Sequence, residues 1–433
     1  MVHASSIRLN IVGEILDKKI KVLTISDHPL SPSGVGTQTR YVIEALLETG
    51  KFKFNCIAGA MKHNSYQPVK TDEWGEEWVI FPVDGYGNPE VLRSMIRSFK
   101  PDILWFMTDP RFYVWLWEME DEVRSLVPMV YYHVWDNTPY PTFNKDYYDS
   151  CDVIATISKV TDDIVKTVAP DVESHYLPHA VNTDIFKPLD PKTVASNRET
   201  MGIKPDQKMF FWNNRNARRK QSGSLIFWFK AFLDKVGHDK ARLIMHTDPN
   251  DAAGQNLEAI LHFNELVRGQ VQLSTEKIPP EQLAMLYNMA DCTINIADAE
   301  GFGLSSLESL ACGTPVINTM TGGLQEQVTD GENWFGVGIE PSSKAIIGSQ
   351  QIPWIYEDRL SEESVVAALV KMFELTKEQN EQIGMMGRDH VLKNYNFPDF
   401  KERWVNLMTE IHEKHGSWHN RKLYKPWELI EIS

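Results

Sequence analysis

The chain reads as an α/β protein built from two doubly wound parallel sheets. Three observations predict this. Short apolar runs without polar alternation recur along the sequence, as strands covered on both faces require. Helix-length amphipathic segments lie between them. The rhythm runs twice over the 433 residues, interrupted by a polar, proline-containing stretch at 189–205 that reads as a linker.

In order, Lys21–Ile25 is the first buried strand, and Ser31–Gly36 is a turn rich in small residues. A helix follows over Thr37–Leu47, with Tyr41, Ala45 and Leu46 as its apolar positions. Ile103–Phe106, Met129–His133 and Val153–Ser158 are the next strands, and Ser158 suits a helix N-cap. The second series comprises Met209–Trp212, Arg242–His246, Val271–Leu273, Cys292–Ile296 and Pro315–Ile317. Helical patterns then cover 363–375, 381–393 and 400–414. The two halves share a strand–helix rhythm without an internal sequence repeat.

Composition bounds the function. The chain is 42% hydrophobic and 24% charged, which is globular. It has no run of 18 apolar residues, no signal-peptide core near Met1, and four scattered cysteines without a CxxC spacing. A cytoplasmic protein with reduced thiols is expected. The net charge of −15 weighs against a dedicated nucleic-acid binder or a protein held on anionic lipid. No third glycine completes a dinucleotide fingerprint around Gly34–Gly36, Gly85–Gly87, Gly301–Gly303 or Gly336–Gly338, and there is no P-loop.

The most informative stretch is Glu300-Gly-Phe-Gly-Leu-Ser-Ser-Leu-Glu308. It follows the apolar strand and opens a short helix that ends at Gly313. Gly301 and Gly303 let a ligand come close to the backbone. The helix beginning near Leu304 offers free N–H groups and a positive dipole end to a phosphate. Upstream, Arg215 and Lys220 sit five apart in the basic turn Asn213–Lys220, with Arg218 and Arg219 as extra cations.

These residues resemble the Glu-x7-Glu signature of the GT4-type retaining glycosyltransferases, whose fold is GT-B. Pro280–Asp291, Ala311–Val316, Thr321-Gly-Gly-Leu-Gln-Glu326 and Asp330-Gly-Glu-Asn333 resemble the family's flanking segments in order. The resemblance implies two Rossmann-like domains facing across a cleft. Residues 1–190 would form the acceptor side, 205–394 the donor-nucleotide side, and 395–433 would cross back onto the first domain. Residues 1–19 have no readable role.

The resemblance also implies roles. Glu308 would hold the donor ribose. Arg215, Lys220 and the backbone of Gly301, Phe302, Gly303, Leu304 and Ser305 would hold the diphosphate. Glu300 and His133 would position the sugar, while Gly34 and Gly36, in a loop facing the cleft, would bind the donor, their backbone meeting its phosphate or the acceptor. His179 reads as structural. With no Asp-x-Asp motif, a metal-independent site needing no cofactor is expected, its co-substrate a UDP-, GDP- or ADP-sugar. The acceptor would present a hydroxyl and could be a glycan, lipid-linked sugar, protein, small metabolite or modified nucleobase. Retention of configuration follows from the resemblance alone. The alternatives are a sugar-nucleotide epimerase and a non-catalytic nucleotide-sugar or glycan-binding module. Most of the 13 tryptophans, including Trp105, Trp115, Trp117 and Trp135, read as packing residues.

Overall fold

The structure, a computed structural model, describes residues 19–425, so all of the extension before Lys19 lies outside it. The first half contains β1 (Ile20–Asp27), β2 (Phe52–Gly59), β3 (Val69–Lys70), β4 (Trp78–Pro82), β5 (Ile103–Met107), β6 (Met129–His133), β7 (Val153–Thr156) and β8 (Glu173–Tyr176). They form one sheet in the order β3-β4-β2-β1-β5-β6-β7-β8, parallel except for the short β3–β4 pair. The second half contains β9 (Lys208–Asn213), β10 (Ala241–His246), β11 (Val271–Ser274), β12 (Cys292–Asn295), β13 (Val316–Thr319) and β14 (Gly336–Ile339). Their order is β11-β10-β9-β12-β13-β14, all parallel.

Strand order reverses between β1 and β5 in one sheet and between β9 and β12 in the other. At such a reversal the loops leaving the two carboxyl ends diverge to opposite faces and open a crevice. The basic turn leaves β9 and the Glu300 turn leaves β12, so both open at the reversal of the second sheet.

Several elements differ from the sequence reading. The stretch 189–205, read as a linker, contains a helix, Pro191–Thr200, capped by Asp190 accepting from Thr193 N–H. It packs against the helix Pro280–Met289, and Arg198 joins Asp291 and the carbonyls of Met289 and Gln207. The turn at Ser31–Gly36 is shorter than expected. Ser33 caps a helix over Gly34–Leu47, so Gly34 and Gly36 lie in its first turn. β2 and β4 were not among the strands read from the sequence, although the alternation of Phe52, Phe54 and Cys56 carries the signal for β2.

A hairpin of β15 (Ser343–Ile347) and β16 (Ile355–Arg359) also escaped the sequence reading. It leaves the second half and docks on the first. Tyr356 N–H donates to Thr138 O (2.7 Å), Asn137 Nδ2 donates to Tyr356 O (3.1 Å), and Trp354 meets Phe143 edge-on. Ile352 is buried with apolar residues of the first sheet.

The final long helix, Phe397–His415, packs on the helix Gly34–Leu47. It places fully buried Trp404 edge-on against Trp105 and Tyr132. One apolar cluster runs through both halves, joining Val130 and Tyr132 to Phe302, Leu307 and Leu310. All four cysteines are free and buried. Among the described residues, no helix is long and apolar enough to cross a membrane.

Candidate functional site

The two sheets meet where their carboxyl ends face each other. A Cβ placed on Gly34 would stand 3.2 Å from Leu304 Cδ1, and one on Gly301 would stand 3.0 Å from Val134 O. Any larger side chain at these positions pushes on the opposite half. Gly303 has φ +97°, a conformation that L side chains resist, and its turn opens the helix Leu304–Ala311. Leu304 and Ser305 are the first helical residues, whose N–H groups have no acceptor within the helix.

Glu300 sits at the centre of this turn. Its carboxylate pairs with the Lys220 ammonium, and Arg219 Nη1 stands 3.6 Å away. Arg219 also donates to Ala299 O. Burial pushes the Lys220 ammonium well below its ordinary range; neighbouring Arg219 adds to this and Asp136 opposes it. Lys220 is buried because the β9 loop folds back as a short 3-10 turn, Arg218–Lys220, against the strand end that carries Asp298.

Glu308 lies on the helix that Gly303 opens. Tyr287 Oη donates to its Oε2 (2.7 Å) and accepts from Asn213 Nδ2 (2.9 Å). Burial pushes the Glu308 carboxyl up to about 7, opposed by the Tyr287 hydrogen bond. Further along the carboxyl edge of the second sheet, Asn214 Nδ2, Thr247 Oγ1, Asn295 Oδ1 and Thr319 Oγ1 are buried without a hydrogen-bond partner. Each lacks the partner that buried polar atoms nearly always find.

Two residues expected at the site, His133 and Arg215, have side chains engaged elsewhere, and Phe302 keeps its backbone at the turn while its ring packs away from it. His133 is fully buried, its Nε2 2.8 Å from Tyr148 Oη, between the rings of Tyr131 and Tyr148. It shares the β6 face of Met129 and Tyr131, which points away from the cluster holding Val130 and Tyr132. Burial pushes its imidazole down to about 3, so it is neutral and presents no atom to the cleft. Its Nδ1 is buried without a hydrogen-bond partner. Arg215 is bound through two hydrogen bonds to Asp251 (2.6 and 3.0 Å) with a largely exposed side chain; Arg219, not Arg215, stands beside Lys220 at Glu300. The Phe302 ring is buried against His179 and Tyr395, so its side chain is interdomain packing and only its backbone borders the turn. His179 bonds Tyr132 Oη (2.7 Å) and is structural.

The structure also adds charged residues. Asp136 faces Arg219 and Lys220 from the first half, and burial pushes its carboxyl up to about 6. Glu326, at the end of the Gly-Gly loop, accepts from Lys159 N–H (3.3 Å) and Tyr176 Oη (3.0 Å), both of the first half. Asp27, at the end of β1, accepts from Ser33 Oγ (2.6 Å) and Tyr86 Oη (2.8 Å).

Residues 197–383 match the family described as Glycosyl transferases group 1, and the motifs between Pro280 and Asn333 fall within that stretch. A D-inositol 3-phosphate glycosyltransferase of Corynebacterium jeikeium is 29% identical over 195 residues, 45% of this chain and 46% of that protein. The chain thus spans less than half the length of such curated relatives. The sucrose-phosphate synthase of Thermosynechococcus elongatus superposes over 91% of this chain and 100% of its own, at a TM-score of 0.72 and 16% identity. Anabaena HepE, solved in complex with UDP-glucose, superposes over 90% and 100%, at a TM-score of 0.66 and 12% identity. These likenesses establish the GT-B fold.

Proposed function

We propose that this protein transfers a sugar from a nucleotide-activated donor to an acceptor hydroxyl. The observation that carries the reading is the convergence of Lys220, Arg219 and Glu300 beside the N-terminus of the helix Leu304–Ala311, at the strand-order reversal of the second sheet. Two cations and a helix N-terminus suit a diphosphate, whose leaving oxygen gains charge as the glycosidic bond breaks. Glu308, held by Tyr287 one turn further along, suits the ribose hydroxyls. Glu300 suits the sugar, since in the ligand's presence its partner Lys220 is shared with phosphate.

The acceptor enters from the first sheet. Its hydroxyl oxygen bonds the anomeric carbon, and the bond to the diphosphate oxygen breaks with its electron pair left on the diphosphate. The hydroxyl proton passes to that departing oxygen on the same face, so configuration is retained. Fixed cations stabilise the leaving group in this reading without an essential metal. The family match and the UDP-glucose complex of a protein of the same fold support the donor class.

The test is calorimetric titration with UDP, GDP and ADP, followed by measurement of nucleoside diphosphate release from UDP-glucose, GDP-mannose and ADP-glucose. D-inositol 3-phosphate serves as the first acceptor tried. Selective binding of one diphosphate, with release stimulated by an acceptor, supports the reading. Conversion of the donor to an isomeric sugar nucleotide replaces it with an epimerase, and absence of binding to all three removes it.

A further inference from the structure

The loop after β6 carries a carboxylate that the sequence motifs do not assign. Asp136 lies three residues past buried His133, on the first half, yet its surroundings belong to the second. A Cβ on Gly322 would stand 3.2 Å from Asp136 Cβ, and Gly322 itself (φ +46°) is pressed against Glu300 O. Gly323 N–H donates to the same Glu300 oxygen (3.0 Å). Asp136 therefore touches the turn that holds Glu300 in place. The charged groups it faces are Arg219 and Lys220 from the second half and Asp109 from the end of β5.

The backbone around Asp136 is fixed from both sides. Thr161 Oγ1 donates to Trp135 O (2.7 Å), and Trp135 Nε1 donates to Asn137 O (3.1 Å). Asn137 and Thr138 are bound by Tyr356 of the β15–β16 hairpin. That hairpin is tied in turn to the cationic turn: Glu357 binds Arg218 (2.7 and 2.5 Å) and Arg359 (2.8 Å), and Arg359 pairs with Asp298, two residues before Glu300. One bracket thus fixes the Asp136 loop relative to Lys220 and Glu300, while among the described residues the Asp136 carboxyl makes no hydrogen bond or ion pair with another side chain and feels Arg219 and Lys220 only through their charge.

We propose that Asp136 accepts the hydrogen bond of the acceptor's attacking hydroxyl and aims its oxygen at the anomeric carbon. The inference rests on the transferase reading and gives the cleft-facing role expected of His133 to a different residue. A first-sheet carboxylate beside the cations that grip the diphosphate lies where the attacking oxygen must come, on the face the leaving group departs from. Asp136 stays a carboxylate throughout: the proton it orients ends on the departing phosphate oxygen, and no further reactant is needed. The ionised carboxylate is the stronger acceptor, because a charge-assisted hydrogen bond polarises the hydroxyl more than one to a neutral oxygen, so acceptor reactivity rises with pH through the Asp136 titration.

The test compares the wild-type chain with Asp136→Asn and Asp136→Glu. Binding of UDP, GDP and ADP is measured by calorimetry. Turnover is measured as nucleoside diphosphate release from UDP-glucose, GDP-mannose and ADP-glucose, with water and with D-inositol 3-phosphate as acceptors. Thermal melting checks folding. Asp136→Asn is expected to bind the diphosphate as tightly as wild type or more tightly, because a negative charge next to two cations is gone. Its turnover should fall on the order of 100-fold, the rise of wild-type turnover between pH 5 and 8 should vanish, and Asp136→Glu should recover part of the loss. Wild-type turnover in Asp136→Asn, an unchanged pH profile, or loss of diphosphate binding overturns the assignment. Failure of the wild-type chain to bind any of the diphosphates, or binding without turnover of any donor, defeats the transferase reading and this inference with it.

Discussion

Replacing Glu326 with glutamine should make the protein's stability less sensitive to the rise from acidic to neutral pH. Glu326 is 8% exposed and spans the interface, accepting from the first turn of the helix Lys159–Val168 and from Tyr176. Burial pushes its carboxyl up to about 7 from an ordinary 4.5; the Tyr176 and Lys159 contacts pull the other way without cancelling it. A carboxyl raised in the folded state holds its proton more tightly there than in the unfolded chain. Its stabilising contribution is therefore complete below pH 4.5 and is lost as pH rises through 7. At 1.36 kcal/mol per unit, the shift corresponds to about 3 kcal/mol. Glutamine keeps the shape and an acceptor oxygen but does not titrate. The stability difference between Glu326→Gln and wild type should thus move by about 3 kcal/mol in the variant's favour between pH 4.5 and pH 8. For a chain of this length that is roughly 3–4 °C in melting temperature. Melting curves of both proteins at matched ionic strength across this range provide the measurement. A difference that does not change with pH would show that Glu326 is ionised in the folded protein and would refute the argument.

Arg219→Ala should weaken nucleoside diphosphate binding by about 1.5–3 kcal/mol, the worth of hydrogen bonds to a charged group, whereas Arg215→Ala, which breaks an exposed pair with Asp251, should cost less than about 1 kcal/mol. Calorimetric titration separates them, and equal losses would return Arg215 to the diphosphate site. Glu308→Gln should abolish a rise in wild-type diphosphate affinity between pH 6 and 8, because the ionised carboxylate is the better ribose acceptor; parallel pH profiles would remove the ribose role. Trp404→Ala should cost about 3–5 kcal/mol of stability by emptying the space between Trp105 and Tyr132. Denaturant unfolding followed by fluorescence would reveal it, and a loss under 1 kcal/mol would mean that the final helix is not packed as described.

The sequence by itself determined the fold class and the donor-side turn. Period and composition are local properties, so strands such as Met129–His133 and the order strand, Glu300, glycine turn, helix were legible without any long-range contact. Ser158 was legible as an N-cap for the same reason, accepting from Thr161 N–H. The helix within the polar stretch 191–200 was not legible because it is stabilised by distant neighbours: Arg198 finds Asp291 some ninety residues away. Which cation meets Glu300 was decided by how the β9 loop folds back, which turns Arg219 and Lys220 inward and leaves Arg215 to Asp251. Which residue of the β6 loop faces the cleft was decided by the strand's two-residue period acting with the packing of Tyr148, which draws His133 into the core and leaves Asp136 opposite the cations. A site assembled from two sheets depends on contacts between residues far apart in the chain, and only the packed tertiary structure sets those distances.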